Sequence, residues 1–60
     1  MRQINLREMQ KILKNNGYSP VRTRGSHTIW DNGTNIISIP VVTFKSIIAN
    51  RLIKENKLVV

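Results

Sequence analysis

Asn32-Gly33 sits between two strand-like runs and constrains this chain more than any other dipeptide. Both residues tolerate the positive φ of a tight type I′ turn, so the flanking runs are expected to fold back as neighbouring antiparallel strands. The runs are Ser26 to Asp31 and about Asn35 to Ile39, the second stopped by Pro40. An earlier strand, Tyr18 to Thr23, joins them through a turn at Arg24-Gly25. Pro20 cannot donate to a ladder, which places that strand at an edge or starts it after the proline. Ile36-Ile37-Ser38-Ile39 is too apolar for a strand wetted on both faces, so the third strand is expected well inside the fold.

Amphipathic helices flank this meander. Residues 1–5 lead into the first, with Asn5 as its cap, Glu8 at the third helical position and Ile4 placed to staple onto Met9. Leu6, Met9, Ile12 and Leu13 recur at three- and four-residue spacing and form one apolar stripe. Arg7, Lys11 and Lys14 share another face. Asn15-Asn16-Gly17 ends the helix, Gly17 being suited to the left-handed position. The second helix is expected to start at Thr43 as cap, with Val42 and Ile47 as a staple. Its expected core stripe is Phe44, Ile47, Ile48, Leu52 and Ile53, ending near Asn56. Leu58-Val59-Val60 forms an apolar tail: an extra strand, a lid on the core, or a partner contact. The order helix, three strands, helix predicts an α+β, α-β-β-β-α two-layer sandwich, with two helices on one face of a three-stranded antiparallel sheet. The other face stays open.

Sixty residues make one domain, spanning residues 1–60. With no cysteine there is no disulfide framework and no thiol nucleophile. One histidine and three scattered acids (Glu8, Asp31, Glu55) argue against a protein metal site, and no cofactor motif is present. No apolar run approaches the roughly 20 residues of a membrane span, and no leader pattern precedes a cleavage site. The expectation is a soluble cytoplasmic domain. Ten Lys and Arg against three acids give a net charge of +7, the footprint of a polyanion binder, nucleic acid first.

Chemistry concentrates in Arg24-Gly25-Ser26-His27. His27 is the one side chain of a type that changes charge near neutral pH. Strand alternation sends Trp30 one way, under the helices, and His27 the other, onto the open face. Arg22 and Arg24, from the preceding strand and its turn, share a parity and point to one face. An imidazole among guanidinium groups suits a site that binds phosphate and moves a proton beside it. RNA carries the 2′-hydroxyl such a base can activate; DNA does not. Water, a lysine or His27 of a second copy each remain open as donor to the leaving oxygen.

The pattern of elements, Gly17-Tyr18, Arg22 before Gly25-Ser26-His27, the hairpin, Ile39-Pro40 and the last helix together resemble the HicA family. The resemblance covers roughly residues 5–57. It implies a double-stranded-RNA-binding-domain-like fold and a metal-independent messenger-RNA-cleaving toxin, silenced when a HicB-like antitoxin covers its active face. It maps the catalytic histidine onto His27 and the glycine turn onto Gly25, with Ser26 inside the motif. RNA contact is expected from Arg22, Arg24, Gly25 and Ser26, and more weakly from Lys11 and Lys14. A homodimer within the toxin–antitoxin complex is compatible with this. Family members often have a second histidine after the first, and another beyond the proline. This chain has Thr28 there, and Val41 and Val42. The alternative reading is a non-catalytic RNA-binding module of the same fold.

Overall fold

The computed structural model describes residues 3–60. The order is α1 (Leu6–Asn15), β1 (Ser19–Arg24), β2 (His27–Asp31), β3 (Ile36–Pro40) and α2 (Ser46–Asn56). The strands form one antiparallel sheet in the order β1-β2-β3. Both helices cover one face of this sheet and the other face is open, the expected α+β sandwich.

Helix α1 has the expected boundaries and caps. Its Glu8 N–H donates to the Asn5 side chain at 2.8 Å, which satisfies one of the orphan amides of the first turn. Met9, Ile12 and Leu13 are buried, and Leu6 packs against the same core. At the other end Gly17 has φ +86°. Tyr18 N–H returns to Leu13 O at 2.9 Å and Gly17 N–H to Lys14 O at 3.1 Å, the paired bonds of a Schellman ending. That ending turns the chain sharply, so Tyr18 is buried and β1 starts beneath the helix it follows.

The core is a single cluster. Trp30, Ile37 and Ile39 rise from the sheet to meet Ile4, Met9, Leu13 and Ala49. Tyr18 is buried with its hydroxyl satisfied, accepting from Asn35 Nδ2 at 3.0 Å. Asn35 Nδ2 also donates to Asn56 Oδ1 at 2.8 Å, which ties the β2–β3 loop to the end of α2. Of the tail, Leu58 closes the core as a lid, whereas Val59 and Val60 are exposed. The Asn16 amide holds the tail like a strand partner: it donates to Val59 O at 2.9 Å and accepts from Val59 N–H at 2.8 Å.

Five expectations are corrected. Strand β3 is an edge strand, not an inner one, and its apolar run splits by parity. Ile37 and Ile39 are buried under the helices while Ile36 is 63% exposed. The Asn32-Gly33 hairpin forms, but not as a type I′ turn: Asp31 pairs with Ile36 across a four-residue loop, and only Gly33 of the two has positive φ. The Asn32 side chain instead accepts from the N–H groups of Thr34 and Asn35, doing within the loop what a tight turn does with backbone alone.

Thr43 does not cap α2. The cap residue is Lys45, in extended conformation and without a side-chain cap bond, because Phe44 packs against the core from outside the helix. The stripe is rotated accordingly. Ala49 is fully buried with Leu52 and Ile53 beside it, and Ile47, two residues and some 200° around from Ala49, is 60% exposed. Val42 is 80% exposed, so the Val42–Ile47 staple is absent. Ser46 anchors the helix start instead, its hydroxyl accepting from Ile4 N–H at 2.9 Å.

Asn5→Ala should therefore lower stability by about 1 kcal/mol. Thr43→Ala should change it by less than about 0.5 kcal/mol, since no cap depends on it. Urea unfolding followed by circular dichroism checks both, and equal losses would contradict the observed start of α2.

Candidate active site

The site begins with a tight turn. Arg24 and His27 are paired residues of β1 and β2, separated only by Gly25 and Ser26. Gly25 has φ +60° and Ser26 does not have positive φ, the residue pattern of a type II′ hairpin, whose twist matches that of the strands. Nothing lies within 4 Å of where a Gly25 Cβ would be, so the demand for glycine is conformational rather than steric. Ser26, expected to open the second strand, belongs to this turn. Its carbonyl accepts from Val41 N–H at 2.8 Å, which holds the turn from the β3 side as well.

Register then decides which side chains share the open face. From the turn the pairs run Arg24 with His27, Thr23 with Thr28, and Arg22 with Ile29, without a break. Alternation gives Arg24, His27, Arg22 and Ile29 to one face, and Thr28 and Trp30 to the other. Trp30 is 2% exposed, so its face is the core and the first set faces outward. The irregularity in β1 falls between Pro20 and Arg22, at Val21, and not at Gly25. It leaves the arginines in phase with His27 and takes up the proline, which has no N–H for the ladder.

On this face Arg24, His27, Ile29 and Ser38 line a shallow open basin. His27 is exposed, half-buried Ile29 forms an apolar floor, and Ser38 of β3 stands opposite Ile29. Arg22, exposed, pairs with Ile29 from the other side. The acid on this face is Asp31, two alternate positions along β2, or about 13 Å at ~3.3 Å per residue. Its carboxylate accepts from Gly33 N–H at 2.6 Å. The His27 end of the face is thus cationic. The basin places the Arg24 guanidinium and the His27 imidazole side by side, with Arg22 on the same face beyond Ile29.

The sequence-predicted residues divide. Arg24 and His27 are brought together, Arg22 and the Gly25-Ser26 turn border them, and Lys11 and Lys14 stand apart as exposed residues of α1. Lys11 lines a separate groove with Asn5, Arg7 and Glu8. Ile29 shares the parity of His27 within β2, so its outward side follows from alternation alone. Sequence reasoning did not single out Ser38, which comes to stand opposite Ile29 only through the length of the β2–β3 loop. Among the described residues no three His, Cys, Asp or Glu side chains are grouped to hold a metal ion, and no helix is long and apolar enough to cross a membrane.

Fold and face together define a small basic α+β domain, two helices backing an open three-stranded sheet whose uncovered face carries an imidazole beside a guanidinium group. Comparison with known families makes this particular. Residues 6–56 match the family described as HicA toxin of bacterial toxin-antitoxin systems, and the chain belongs to that family. Searches of curated proteins and of solved structures returned no match.

Gly25→Ala should destabilise the fold by about 1–2 kcal/mol, the cost of a side chain in left-handed backbone. Ser26→Ala, whose carbonyl contact is retained, should cost less than about 0.5 kcal/mol. Thermal melts of the two variants test the turn assignment; equal melting temperatures would contradict it.

Proposed function

We propose that this HicA-family chain is a metal-independent endoribonuclease that cleaves messenger RNA in the cytoplasm and is neutralised by a HicB-like antitoxin. The observation that carries the reading is the cross-strand pairing of Arg24 with His27 on the uncovered face. His27 acts as general base and takes the proton of a ribose 2′-hydroxyl. The 2′ oxygen attacks the adjacent phosphorus, the bond from phosphorus to the 5′ oxygen breaks, and a 2′,3′-cyclic phosphate remains. The departing 5′ oxygen takes up a proton from solvent, since the chain has one histidine and its Thr28, Val41 and Val42 replace the others common in the family. Arg24 and Arg22 hold the phosphate and stabilise the negative charge that grows on it.

The net charge of +7 serves both partners. It draws the RNA backbone to the open face, and Lys11 and Lys14 add long-range attraction from the helical layer. It also speeds capture by an acidic antitoxin surface, a rate that falls as salt screens the charges. A homodimer within the toxin–antitoxin complex is consistent with one open face per chain.

Purified protein should cut RNA but not DNA in EDTA and leave 2′,3′-cyclic ends. His27→Ala should lower the rate by about 10²–10⁴-fold with the fold intact. Arg22→Ala and Arg24→Ala should each weaken RNA binding and reduce the slope of log affinity against log salt by about one. Folded wild-type protein that binds RNA and never cuts it would instead identify a non-catalytic RNA-binding module.

A further inference from the structure

Strand β3 contributes a group to the basin that the proposed reaction has not yet used. Its outward positions are Ile36, Ser38 and Pro40, opposite Asp31, Ile29 and His27 respectively. Ser38 therefore carries the one hydroxyl on that side of the basin, between two apolar neighbours. Solvent exposure alone does not account for it, because the outward neighbour Ile36 is 63% exposed and aliphatic. The Ser38 hydroxyl is exposed and has no hydrogen-bond partner among the described residues.

Its position relative to the cations is specific. Arg22 on β1, Ile29 on β2 and Ser38 on β3 form a row across the sheet, and Arg24, His27 and Pro40 form the next row on the same face. Neighbouring strands lie ~4.8 Å apart, so the backbones of β1 and β3 are separated by about 10 Å. An arginine leaning in from one side, a phosphate over the central strand and a hydroxyl from the other side fill that span. Below the phosphate lies the Ile29 side chain, which offers no competing polar group. Ile29 is only half-buried, so this floor also keeps water off one side of the anion.

Resting on the ribonuclease reading above, we infer that Ser38 is a substrate-contacting residue that donates its hydroxyl hydrogen to a non-bridging oxygen of the scissile phosphate. Arg22 and Arg24 hold the phosphate from β1, and Ser38, in the row of Arg22, fixes its rotation over Ile29. The 2′-hydroxyl is thereby presented to His27. Arginines on β1 reach the phosphate from one side only; a second donor across the basin selects one of the two non-bridging oxygens. Ser38 thus distinguishes the two faces of the phosphate.

The test uses full-length protein and a short RNA with one cleavable linkage, made with a normal phosphate and with each of the two phosphorothioate diastereomers. Ser38→Ala should reduce cleavage of the normal linkage by about 10- to 100-fold, and Ser38→Thr, which keeps the hydroxyl, should stay within about 3-fold of wild type. Wild type should discriminate against one diastereomer, and Ser38→Ala should lose most of that discrimination. A Ser38→Ala variant that cleaves at the wild-type rate, or that keeps the full stereochemical preference, overturns the inference while leaving His27 as base. Should wild type cut no RNA, the ribonuclease reading fails by itself. Ser38 is then judged by binding: severalfold weaker RNA affinity of Ser38→Ala at low salt supports the contact, and unchanged affinity overturns it. Circular dichroism of both variants, altered only at an exposed position, verifies that they fold.

Discussion

The alternation of one five-residue strand governs this molecule. Strand β2 runs His27 to Asp31 through the centre of the sheet, and its Trp30 is among the most deeply buried side chains of the core. A slip of one residue would turn Trp30 to water and bring His27 beneath the helices. The free energy of burying an indole, on the order of 3 kcal/mol, therefore also holds the imidazole on the open face. The core and the open face share this strand. The register of the whole site follows, because β1 pairs with β2 from the Gly25-Ser26 turn onward and β3 pairs with it from the other side.

A chain of 60 residues without cysteine has little apolar area with which to secure such a register. Asparagine side chains provide additional ties. Asn5 caps α1, Asn16 joins the end of α1 to the tail, Asn32 organises the β2–β3 loop, and Asn35 connects that loop to Tyr18 and Asn56. Their short amides both donate and accept, so each can satisfy backbone groups that regular structure leaves unpaired. Among the described residues no buried side-chain nitrogen or oxygen lacks a partner. These bonds sit at the ends of the helices and at the loop, away from the open face, which keeps its polar groups available.

That face is where the positive charge acquires direction. Ten cationic side chains spread over a small body attract polyanions from every side. At the turn end of the sheet the Arg24 guanidinium and the His27 imidazole share a basin with an apolar floor. The remaining cations, including Lys11 and Lys14 on α1, add to the field without entering the basin.

Local features were legible in the residues themselves. Asn5 with Glu8, and Asn16 with Gly17, mark the ends of α1 because caps act within one helical turn. Gly25-Ser26-His27 and the parity of Trp30 place the imidazole outward because strand alternation is strictly local. What depended on long-range packing was not legible. Ala49 rather than Ile47 became the buried position of α2, because Phe44 was claimed by the core from an extended segment and delayed the helix to Ser46. Likewise β3 took an edge, and the Asn32 loop lengthened to four residues, which set Ser38 opposite Ile29. The sequence by itself determined the elements, their order and the outward direction of His27, since each follows from neighbours a few residues apart. Tertiary structure alone decided which side chains stand across the sheet from that histidine, since cross-strand partners depend on register, and register depends on the length of every loop between them.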